Sequence, residues 1–140
     1  MTALLDRLGA RAGAVAAVVG VGLCTGGLGG RPQPPPVVTV AIHHSRFVPD
    51  RLVLPAGRLV RIVVRNEDPI DHELVLGDLA VQARHEHGTD RVHHESGAVS
   101  VPADSTAATT WTLPRGQPAF FGCHLPGHWA YGMQGLVVPA

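Results

Sequence analysis

The fold class this sequence predicts is all-β, a Greek-key sandwich or barrel, and three observations lead there. β-branched residues recur in short runs, some strictly alternating with polar ones. Pro, Gly, Asn and Asp separate those runs at fairly regular intervals. No segment sustains a helical period between recognisable caps. Many short strands at such spacing indicate two packed sheets or a closed barrel.

The elements follow in order from Val37. "VVTVAI" is β-branched, and "RLVLPAG" is a short apolar run ending in a Pro/Gly turn. In "RLVRIVVRN" Val60, Ile62 and Val64 fall on one face, with Arg61 and Arg65 on the other. That is the period of a half-buried strand. "HELVL", "AVSVP", "STAATTWTL", "AFFGC" and "GLVV" complete the series. Between Gly77 and Gly97 the pattern breaks into a polar, histidine-bearing stretch, longer than most connections. It reads as an excursion between two strands.

The first thirty residues differ in kind. Arg7 and Arg11 precede an uncharged apolar run, Ala12 to Leu23, which ends in a Gly-rich exit. Basic start, short apolar middle and small-residue end are the order of a secretory signal. The run is short of the roughly 20 residues of a membrane span. Three readings stay open: a cleaved signal, an uncleaved anchor, and lipidation at Cys24, although Leu23 stands where a lipoprotein signal has a small residue. Residues 31–36, "RPQPPP", form a Pro-rich linker that cannot continue a helix. The expected organisation is therefore signal or anchor over 1–30, linker over 31–36 and one domain over 37–140. The domain should lie outside the cytoplasm, secreted, periplasmic or held at the membrane, and should be monomeric.

Composition narrows the function. The formal net charge is zero with histidine neutral, and the basic residues are all arginine. No basic field is available to recruit nucleic acid. No glycine fingerprint for a nucleotide lies between a strand and a helix.

Cysteine, histidine and methionine come together in one short stretch. "FFGCHLPGHWAYGMQG", Phe120 to Gly135, carries Cys123, His128 and Met133 at C-x4-H-x4-M spacing. Thiolate, imidazole and thioether are the donors that suit copper. A β-sandwich must bring a further ligand from a distant strand end. His72, in "NEDPIDHELVL", stands where a loop meets a strand, although taken alone it fits a surface histidine better. Pro126 and Gly127 shape the turn before His128, and Gly132 is expected to let the backbone pass close to the metal.

From Val37 onward the chain resembles a cupredoxin, the plastocyanin/azurin family of small blue copper proteins. "FVPDRLVLPAGRLVRIVVRN" is similar to the first strands of that fold, and "DHE" to the segment with its first histidine ligand. "CHLPGHWAYGMQG" is similar to its C-terminal ligand loop. The resemblance covers about three quarters of the chain. It implies one mononuclear type 1 copper ion, with His72, Cys123 and His128 in the equatorial plane and Met133 as weak axial ligand. It also implies transfer of single electrons to redox partner proteins. The alternative is copper binding and delivery, or copper resistance, with copper donors and acceptors as partners.

Asn66 and Glu73 are candidates to fix the ligand loops by hydrogen bonds. His124 follows the cysteine and should point away from the metal, as a surface group or a support for the ligands. Histidines on both sides of the cysteine link such a site to a catalytic copper cluster in multicopper oxidases. Here Gly122 stands on the other side, so no enzyme is expected. His85, His87, His93 and His94, with Glu86 and Glu95, could hold a weak second metal ion or simply be solvated.

Overall fold

A computed structural model describes residues 33–88 and 96–140. The leader with Cys24, and His93 and His94 of the second-metal candidate, lie outside the described residues.

The described residues form nine strands and one helix: β1 Val37–Ile42, β2 Phe47–Val48, β3 Arg51–Leu54, β4 Leu59–Asn66, β5 His72–Gly77, α1 Leu79–Glu86, β6 Ala98–Val101, β7 Thr106–Thr112, β8 Ala119–Gly122 and β9 Gln134–Pro139. They form a four-stranded sheet in the order β2-β1-β4-β7 and a five-stranded sheet in the order β3-β9-β8-β5-β6. β1 runs parallel to β4 and β3 parallel to β9; the other pairs are antiparallel. The chain passes back and forth between the sheets, so the segments that meet at one end come from distant positions.

The alternation read in β4 sets the core. Val60, Ile62 and Val64 are fully buried, while Arg61 and Arg65 face solvent. Val40 and Ile42 of β1 join them, and Leu52, Leu54, Leu74, Leu76, Phe121 and Val137 fill the other sheet's inner face. Phe47 meets Phe121 edge-on, with ring centroids 5.1 Å apart. Apolar area removed from water, at about 25 cal/mol per Å², is the main stabilising term in such a core.

The excursion after Gly77 differs from the expected strand-to-strand loop. It contains α1, started by Asp78, whose carboxylate accepts the Val81 N–H at 2.9 Å from an extended backbone. Gly88 follows the helix in the left-handed conformation. The buried Gln82 donates to the carbonyls of Val75 (3.2 Å) and Phe120 (3.3 Å). The helix thereby covers the outer face of β5 and β8. Gly77 is required beneath it, because a Cβ there would come 2.5 Å from Val81. β5 is in consequence buried along its whole length.

Candidate metal centre

β4 ends at Asn66, a turn follows, and β5 begins at His72. β8, paired with β5, ends at Gly122, which delivers Cys123 beside that histidine. From Cys123 to Met133 the chain folds back on itself. His128 N–H donates to Leu125 C=O (2.9 Å), Met133 N–H to His128 C=O (3.0 Å) and Cys123 N–H to Met133 C=O (3.1 Å). Gly127, at φ +85°, turns the backbone where the sequence placed a tight turn.

One ligand atom from each of His72, Cys123 and His128 lies within 4.8 Å of the others. His72 Nδ1 is 3.3 Å from His128 Nδ1, which is 3.2 Å from Cys123 Sγ. Cys123 is fully buried, as are His72 and Met133 to within 1 %, while His128 is only partly covered. With Met133 in the same closed loop, these residues form a potential type 1 copper site.

Electrostatics shape the donors. Burial pushes the Cys123 thiol up to about 11, against backbone hydrogen bonds from Leu125 and Glu73 that favour the thiolate. Burial, followed by the neighbouring His72, lowers the pKa of His128, which leaves its imidazole neutral and able to bind a metal. A cation would supply the charge that the thiolate lacks in the metal-free chain.

Asn66 and Glu73 lie where loop-fixing residues should. Asn66 Nδ2 faces the carbonyls of Ile70 (2.8 Å), Pro102 (3.0 Å) and Val101 (3.1 Å), and its Oδ1 accepts from Asp68 N–H at 3.0 Å. Glu73 Oε1 accepts from the N–H of His124 at 2.8 Å, joining the two ligand segments. The His124 ring turns outward from the three donors to α1, and it is buried there rather than on the surface. It lies 2.9 Å from Glu86 Oε2 and 2.8 Å from Gln82 Oε1, and stacks on Trp129 at 4.8 Å. Gly122 makes room, since a Cβ would approach the Trp129 ring to 2.3 Å.

Gly132 makes room for a side chain from the turn after β1. It has φ +87°, and a Cβ there would lie 2.9 Å from the Arg46 guanidinium. Sequence reasoning missed Asp68, read only as part of a turn. Asp68 Oδ2 is 2.9 Å from His72 Nε2, and both groups are buried. The signal was available in the four-residue spacing from Asp68 to His72 within "NEDPIDHE".

His85 and His87 do not join the site. His85 Nδ1 is 3.1 Å from the Val81 carbonyl and His87 caps α1. Among the described residues, only His72, Cys123 and His128 converge as a metal-ligating group.

Solved structures share this architecture. Auracyanin B superposes with a TM-score of 0.64 at 23% identity, covering 79% of this chain and 92% of that one. The dithionite-reduced auracyanin of Roseiflexus castenholzii gives 0.65 at 18% identity, over 77% and 99%. The chain has the cupredoxin fold. In sequence it is 35% identical over 106 residues to the copper-resistant cuproprotein CopI of Rubrivivax gelatinosus, covering 73% of this chain and 64% of the relative. It is 27% identical to the protein of the same name from Pseudomonas aeruginosa, over 70% of this chain and 72% of that one. The match thus spans a little under two thirds of the first relative's length. No family model matches the chain.

Proposed function

We propose that this chain binds one copper ion through His72, Cys123, His128 and Met133 and passes single electrons by cycling between Cu(II) and Cu(I). The observation that carries the reading is the convergence of two imidazoles and one buried thiol within 4.8 Å. Two imidazoles and a thiolate with a weak thioether are the donor set of an electron-transfer copper site. Strand ends and a self-bonded loop hold the ligands, so their positions need change little between oxidation states. His128, the partly covered ligand, gives a redox partner the shortest approach. The reading assigns no catalytic residue.

A second reading is favoured by the relatives, which are named copper-resistant cuproproteins. On that reading the same site serves copper tolerance by binding or delivering the ion, with copper donors and acceptors as partners. Both readings place the protein outside the cytoplasm, supported by the basic–apolar–glycine order of residues 1–30. Among the described residues no helix is long and apolar enough to cross a membrane.

Stopped-flow oxidation and reduction of the copper-loaded chain, run beside transfer of its copper to a chelator, separates the two. Electron exchange much faster than copper loss supports the shuttle. Ready copper transfer with sluggish electron exchange supports the tolerance role.

A further inference from the structure

The turn between β1 and β2 joins the two ligand segments although it supplies no ligand. His44 and Ser45 have φ of 51° and 52°, a left-handed conformation uncommon outside glycine. Consecutive residues in such turns aim their N–H groups into one concavity that suits an anion. Here His44 N–H donates to Asp68 Oδ1 and Ser45 N–H to Asp68 Oδ2, each at 2.7 Å. The same Oδ2 lies 2.9 Å from His72 Nε2, and Asp68 N–H is fixed by Asn66. Asp68 is therefore held on three sides before it meets the imidazole. From the next position, Arg46 donates to the Tyr131 carbonyl in the Cys/His/Met loop and fills the space that Gly132 leaves.

We propose that Asp68 is the positioning residue of the metal centre: gripped by the His44–Ser45 turn, it holds the proton of His72 on Nε2 and turns the Nδ1 lone pair toward Cys123 and His128. This inference rests on the copper reading above. A carboxylate behind a ligating histidine fixes its ring and tautomer and makes the ligating nitrogen more basic, and its loss typically costs about 10- to 100-fold in metal affinity. The negative charge favours the doubly charged ion over the singly charged one. Its removal therefore weakens Cu(II) binding more than Cu(I) binding and raises the reduction potential. Such a fold-change confined to Cu(II) corresponds to about 60 to 120 mV, since tenfold is about 59 mV for one electron.

The test uses the full chain and Asp68→Asn, which keeps the shape and removes the charge. Cu(II) and Cu(I) affinities and the potential are measured for both. Asn is expected to lose about 10- to 100-fold in Cu(II) affinity, with a smaller change for Cu(I) and a higher potential. An unmoved potential, with both affinities unchanged or falling together, overturns the proposal while coloured wild-type protein leaves the copper reading standing. Wild-type protein that takes no Cu(II) overturns the copper reading instead. A measurement on the metal-free wild-type chain covers the case in which the variant does not fold. Nitrogen-15 shifts of His72 are expected to show a proton on Nε2, and a ring protonated on Nδ1 alone overturns the proposal.

Discussion

The segment from Cys123 to Met133 and the segment from Asp78 to Gly88 are both histidine-bearing, yet among the described residues only the first builds a site. In the first, Cys123 and His128 leave a strand end, close on themselves through backbone hydrogen bonds, and face His72 from the neighbouring strand. In the second, Asp78 caps a helix, His85 turns toward a carbonyl of its own helix and His87 ends it. The difference teaches that convergence, fixed by strand pairing and loop closure, matters more than the number of imidazoles. The role of α1 is instead packing: Gln82 and Glu86 hold His124, whose backbone follows the cysteine.

The largest effect expected to sharpen this contrast is at Cys123. Cys123→Ser should abolish the cysteine-to-copper charge-transfer band and lower Cu(II) affinity by more than 100-fold, read by competition titration; retention of the band would break the contrast. His72→Ala and His128→Ala should each open or weaken the site, with affinity falling by at least tenfold.

Acidity gives the next effect. Because the thiol is raised to about 11, it is protonated at neutral pH, and metal binding must expel that proton. Below pH 11, Cys123 alone should therefore make apparent Cu(II) affinity rise about tenfold per pH unit. Wild-type protein should release one proton more per copper than Cys123→Ser, measured in weakly buffered solution. Equal release would contradict the assignment of the thiolate as ligand.

Asp68 provides a stability counterpart. Burial would raise its pKa, but the N–H groups of Ser45 and His44, then His72, outweigh burial and the value is lowered. A depressed carboxyl contributes stability that is complete above the ordinary value of about 3.9 and drains away as pH falls through the lower folded one. Acid unfolding of the metal-free chain should show this loss, and Asp68→Asn should flatten it.

Smaller effects separate the thioether and the helix. Met133→Leu should keep the colour and raise the potential, since losing a weak neutral donor destabilises the oxidised ion more. His124→Ala should cost on the order of 1–3 kcal/mol in chemical denaturation by removing a buried, bonded ring. Replacing His85, His87, His93 and His94 together by alanine should leave the metal content at one equivalent. A second equivalent lost on that replacement would show that the helical segment builds a site after all.

Much of this was legible because it followed simple periods. The alternation of β4 and the turn residues around each short run place the strands, and Cys123, His128 and Met133 declare their chemistry by type and spacing. α1 was hidden for a physical reason. Its stability rests on the Asp78 cap and on the single buried Gln82, not on an apolar stripe, so no period of 3.6 marks it. The clue lay in "ELVL", a strand without alternation, as a strand covered on both faces must be. Asp68 was hidden because "DP" is also an ordinary turn, and only the meeting of β1's turn with the 66–72 loop gives its carboxylate partners.

The most direct test of the central claim is one visible absorption spectrum of the purified full chain with one equivalent of Cu(II). The account predicts an intense charge-transfer band that saturates at one copper per chain and is lost on reduction. A colourless complex, or binding no tighter than micromolar, would contradict it.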